Sequence, residues 1–99
     1  MINKKLNADY IKRSLTPFDF YSHELPGAPL KKHTWNDGGL CPFHADNNPG
    51  SFLVNLTTGA FKCYSCGTNG GDVIAFTIAA HGLNFIEALA KLADDWGLI

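Results

Sequence analysis

Cys41-Pro42-Phe43-His44 and, eighteen residues further on, Cys63-Tyr64-Ser65-Cys66 are the stretches on which the reading of this chain turns. In each, two residues separate two side chains that carry a soft or borderline donor atom. At that spacing a tight backbone knuckle aims both side chains at one point. Two knuckles facing each other offer three thiolates and one imidazole near the corners of a tetrahedron. These are the donors that Zn2+ takes, at roughly 2.3 Å for sulfur and 2.0–2.1 Å for nitrogen. Cys41, His44, Cys63 and Cys66 are therefore expected to hold one zinc ion. Four protein ligands leave no position for a water, so the expected zinc is structural rather than catalytic. Backbone N–H groups of Phe43, Ser65 or Gly67 are expected to point at the sulfurs.

Other readings of these residues are weaker. His23, His33 and His81 compete for the fourth position, and only His44 has the knuckle spacing. His81, near the end of an expected helix, suits a surface cation at a helix C-terminus. A redox role for Cys63 and Cys66 would need a helix directly after them and a βαβ pattern around them, and neither is visible. A Cys–His nucleophile would need an orienting carboxylate and an oxyanion site. Only Asp46, on an expected loop, lies near.

Outward from the knuckles, the segment between them reads as a hairpin. Ser51–Asn55 alternates, with Phe52 and Val54 on one face. Leu56-Thr57-Thr58-Gly59 turns the chain. Ala60–Tyr64 returns with Phe61 and Cys63 on one face, Lys62 and Tyr64 on the other. Phe43, Phe52 and Phe61 are expected to pack around the metal. Upstream, Leu30–Trp35 is a candidate strand, followed by a turn at Asn36-Asp37-Gly38-Gly39. Asn7–Ser14 is an expected helix with Ala8, Ile11 and Leu15 on one side. Thr16-Pro17 suits a cap and first turn, leading into a short helical turn through Phe20 and Tyr21 that Pro26-Gly27-Ala28-Pro29 breaks.

Downstream, Gly67-Thr68-Asn69-Gly70-Gly71 reads as an irregular loop. Asp72 caps a helix that Gly82 ends, and Asn84 with Glu87 forms a capping box for a second. Phe85, Leu89, Leu92 and Trp96 follow helical spacing and are expected to face the core.

The fold class expected is thus α+β. A small zinc ribbon, an antiparallel sheet with two metal knuckles, is flanked by a short N-terminal helix and two C-terminal helices. The 99 residues suit a single domain, with an N-terminal helical segment over 1–28, the ribbon over 29–66 and the C-terminal helices over 72–96. Hydrophobic residues at 45% and charged residues at 17% indicate a globular chain. Three cysteines cannot all pair, and without a visible signal peptide or bilayer-length apolar run an intracellular, cytoplasmic protein is expected. Net charge is -1 but polarised. Residues 1–32 carry six cations against three anions, and residues 67–99 carry one against four, so only the first third offers a positive face.

Beyond the ligands, four runs resemble the CHC2 zinc-binding domain of bacterial and phage-type DNA primases. They are Cys41–His44, Asn48-Pro49-Gly50-Ser51-Phe52, Phe61–Gly67, and Gly70-Gly71-Asp72-Val73-Ile74-Ala75-Phe76. Leu83–Ala93 is similar to the helix that follows in that family. The resemblance is close over 41–96 and loose before it. Gly50 departs from the family's usual Pro-Ser and suggests a one-residue bulge at the strand start. The resemblance implies a domain that touches single-stranded template DNA and helps select where priming starts, in a protein encoded by a bacterium, phage or mobile element. The RNA-polymerase domain that follows in the family has no counterpart here. The chain therefore reads either as an excised domain or as a small standalone relative, acting in cis or in trans with a primase polymerase domain or a replicative helicase, and not as an enzyme on its own. The alternative is a protein-interaction ribbon that docks on or regulates a primase, helicase or other replication factor.

Single strands are held by cations and by aromatic faces on which bases stack. Lys31, Lys32, Trp35, Lys62 and Tyr64 are the residues expected to form such a surface, if the strand before the turn pairs with the hairpin. The bland alternative makes Trp35 and Tyr64 part of the core over the metal.

Overall fold

The computed structural model describes residues 7–31, 33–45 and 49–98. In chain order, the described residues form α1 (Ala8–Ser14), α2 (Pro17–Glu24), β1 (Trp35–Asp37), β2 (Phe52–Asn55), β3 (Phe61–Cys63), β4 (Asn69–Gly70), α3 (Val73–His81) and α4 (Phe85–Asp95). The strands make one antiparallel sheet in the order β1-β2-β3-β4.

The register sorts the side chains. Phe52 lies opposite Cys63, and Val54 lies opposite both Phe61 and Asn36. These five are buried and make the inner face. Trp35, Asp37, Leu53, Asn55, Lys62 and Asn69 occupy the outer face. Two elements stand where the sequence suggested otherwise. The first strand is Trp35–Asp37 rather than Leu30–Trp35, so two residues assigned to the turn are paired with β2. The irregular loop after Cys66 contains β4, whose Asn69 and Gly70 pair with Lys62 and Phe61. Gly70 permits this approach. A Cβ there would stand 2.6 Å from the Phe61 ring and 2.8 Å from the Ala75 Cβ. Gly50 lies in the turn before β2, with φ of 110°, and makes no bulge within the strand.

The helices start at side-chain caps that satisfy otherwise unpaired N–H groups. Asn7 Oδ1 accepts from the Tyr10 N–H at 2.8 Å, Thr16 Oγ1 from Asp19 at 3.1 Å, and Asp72 Oδ1 from Ala75 at 2.8 Å. Asn84 and Glu87 form the full reciprocal capping box. The described part of the N-terminal segment therefore holds two helices rather than one, and the second is a full eight-residue helix that buries Phe20 and Tyr21. Their rings meet Phe76 of α3 edge-on at 5.5 and 5.3 Å. The Tyr21 hydroxyl donates to the Gly59 carbonyl at 2.6 Å, fastening α2 to the β2–β3 hairpin. Burial, with the Asp72 carboxylate adding to it, pushes the Tyr21 phenol far up, so it stays a neutral donor.

Gly82, at φ 63°, ends α3 in the left-handed conformation, and the chain turns through 104° into α4. Helix α4 buries Ala88, Leu89, Leu92 and Ala93. Phe85 does not join them and is 49% exposed. It heads the helix at the corner, where helical spacing alone does not put a neighbour behind the first turn. No single helix among the described residues is long and apolar enough to cross a membrane.

Candidate metal centre

Each half of the centre is positioned by a different local device. Cys63 closes β3 and is fully buried on the inner face, and the chain then turns through Tyr64-Ser65-Cys66. The Gly67 N–H returns to the Cys63 carbonyl at 2.9 Å, with φ of 82° at Gly67, a conformation that favours glycine. The first knuckle is held from behind by Phe43. Its ring lies 5.9 Å from Phe52, 5.5 Å from Phe61 and 5.2 Å from Phe76. The three phenylalanines expected around the metal do pack there, and α3 supplies a fourth.

The ligand atoms of Cys41, His44, Cys63 and Cys66 all lie within 4.8 Å of one another. The Cys41 and Cys66 sulfurs are 3.9 Å apart, and Cys63 Sγ is 3.5 Å from His44 Nε2. A tetrahedral zinc with the usual bond lengths requires about 3.8 Å between sulfurs and about 3.6 Å between sulfur and nitrogen. The donor set and its spacing therefore fit one zinc ion, bound through the His44 Nε2. His23, His33 and His81 are outside the cluster.

Backbone donors reach the sulfurs of Cys41, Cys63 and, from Thr68, Cys66. The Phe43 N–H approaches Cys41 Sγ and the Cys66 N–H approaches Cys63 Sγ, each at 3.4 Å. The first agrees with the sequence reading. The second comes from Cys66 rather than from Ser65 or Gly67, whose N–H is spent on the Cys63 carbonyl. Without a cation the thiols are far from equivalent. Burial pushes Cys41 up to about 12, only partly offset by the Phe43 N–H. Cys66 is exposed, and the Thr68 hydroxyl and backbone bring it down to about 7. Thr68 Oγ1 lies 3.2 Å from that sulfur and donates to it as a thiolate. Spacing did not single out Thr68, and only its place two residues past a ligand hints at the role. A dication supplies the charge that buried Cys41 lacks, so metal and ionised ligand stabilise each other.

The outer face of the sheet carries Trp35 and Lys62, with Tyr64 beside Lys62 just past β3. Trp35 is 43% exposed and Tyr64 66% exposed, so neither is core. The Lys62 Nζ stands 4.7 Å from the Tyr64 ring centroid, in cation–π contact. Trp35 lies opposite Asn55 and Lys62 opposite Leu53, which puts both on one face. Lys31 precedes the strand, exposed, with its N–H bound to Asn36 Oδ1 at 2.8 Å. Lys32 lies outside the described residues.

Comparison with known proteins agrees with this geometry. The family model described as the CHC2 zinc finger matches residues 9–99. The DNA primase of Listeria monocytogenes is 45% identical over 65 residues, covering 66% of this chain and 10% of that protein. The DNA primase of Neisseria meningitidis is 37% identical over 92 residues, covering 93% of this chain and 15% of that protein. The chain thus spans a small fraction of these relatives' length. Among solved structures, the zinc-binding and RNA polymerase domains of the Aquifex aeolicus primase superpose with a TM-score of 0.71 at 30% identity, covering 97% of this chain and 22% of that one. With the ligand cluster, the surrounding fold and the sequence match in agreement, the chain belongs to the CHC2 zinc finger family.

Proposed function

We propose that this chain is the template-recognition module of a DNA primase, binding single-stranded DNA on the outer face of its sheet beside a polymerase domain that carries out primer synthesis. The observation that supports this most directly is the exposed set of Trp35, Lys62 and Tyr64 on one side of a rigid ribbon. Aromatic faces accept bases at ~1–3 kcal/mol each, and a lysine between them meets the phosphates. The zinc holds the ribbon rigid and takes no part in chemistry, since all of its positions are filled by protein. With few cations, affinity is weak and salt-sensitive, which suits a module held at high effective concentration beside a polymerase domain or helicase.

Fluorescence anisotropy with labelled single-stranded oligonucleotides at low and high salt tests this. Lys62→Ala is expected to weaken binding and lower the salt slope by about 0.7 with zinc content unchanged. Tyr64→Ala is expected to weaken binding about tenfold. Unaltered titrations for both variants would remove this face from the reading. A protein-docking role is the second reading, favoured by the exposed Phe85 and Ile86 at the start of α4. Absence of oligonucleotide binding at low salt would favour it.

A further inference from the structure

We infer that Asp37 selects the template base on this face, accepting hydrogen bonds from guanine and disfavouring thymine; the inference rests on the single-strand reading above. Asp37, Leu53, Lys62 and Asn69 form one lateral row across all four strands. Asp37 is therefore on the same face as Lys62, and it is two residues from Trp35 on the same strand. Such neighbours stand about 7 Å apart, so a base stacked on the indole brings its edge to the carboxylate.

A fixed anion on a surface for a polyanion weakens contact with phosphates. What it adds is acceptors with no donors. Asp37 Oδ1 takes the Gly39 N–H at 2.8 Å, which anchors the side chain and leaves Oδ2 available. Across the strand from Trp35, Asn55 Oδ1 accepts from the Thr57 and Thr58 N–H groups at 2.8 and 3.0 Å. That assigns its amide orientation and leaves the Nδ2 as a donor. The stacking platform is thus flanked by a carboxylate and an amide donor.

In a single strand the Watson–Crick edge is open to such reading. Guanine presents one acceptor beside two adjacent donors, matching the amide and the carboxylate together. Thymine sets a single donor between two carbonyl oxygens, which a carboxylate repels. Cytosine and adenine, each with one exocyclic amino donor, fall between.

The test is a set of oligothymidines carrying one guanine, adenine or cytosine, or none, titrated by anisotropy against the zinc-loaded chain. The guanine oligonucleotide is expected to bind about tenfold more tightly than oligothymidine. Asp37→Asn keeps an acceptor for Gly39, so zinc content and melting temperature should hold. In it the guanine preference should collapse towards unity while oligothymidine binding tightens. Equal binding of all four by the wild-type chain, or the same ratio in Asp37→Asn, would overturn the assignment of Asp37 alone. Failure of every oligonucleotide to bind would overturn the single-strand reading and this inference with it.

Discussion

The ring of Phe43, between the ligands Cys41 and His44, lies 5.2 Å from the ring of Phe76 on α3. One residue thus belongs both to a metal knuckle and to the aromatic core, where Phe76 also meets Phe20, Tyr21 and Phe61. Metal binding and helix packing are thereby mechanically joined. Phe43→Ala is expected to cost about 2–3 kcal/mol, less than the ~3–5 for a fully buried phenylalanine because Phe43 is half-buried. Zinc competition titrations should show weaker binding in the same variant. A destabilised variant with unchanged zinc affinity would contradict the coupling.

Removing the metal should unfold the ribbon. Cys63 is buried on the inner sheet face beside Phe52, and three uncompensated sulfurs replace the staple when zinc leaves. Structural zinc contributes about 10–16 kcal/mol in finger peptides, comparable with the ~5–15 that stabilises a whole domain. Circular dichroism is expected to show loss of cooperative melting after chelation, and Cys63→Ser should behave the same way. A sharp transition at the original temperature would rule this out.

Tyr21→Phe isolates one hydrogen bond. It leaves the buried Gly59 carbonyl without the 2.6 Å donor while the ring contacts stay. The expected cost is about 1–3 kcal/mol, a fall in melting temperature of roughly 4–8 °C for each kcal/mol, with zinc content unaffected.

Gly70 and Gly71 offer a matched pair. A Cβ at Gly70 collides with the Phe61 ring and Ala75, whereas one at Gly71 meets nothing within 4 Å. Gly70→Ala should cost about 1–3 kcal/mol by overpacking, and Gly71→Ala should be nearly neutral in chemical denaturation. Equal effects would show that β4 does not pack as described.

Much of the site was legible because its determinants are local. Two-residue ligand spacing forms a knuckle whatever surrounds it, and Thr16, Asp72 and Asn84 cap helices through N–H groups three residues away. Alternation in β2 and β3 likewise sorted Phe52, Val54, Phe61 and Cys63 inward. What the tertiary structure decided depends on partners distant in sequence. Asn36 and Asp37 look like a turn until β2 supplies hydrogen-bonding neighbours, and Asn69-Gly70 looks irregular until β3 does. Phe85 has the spacing of a core residue, yet it stands at a corner with the helix turned away. Short-range geometry specifies which groups point together, whereas burial needs a second surface, and only the folded chain brings that surface near.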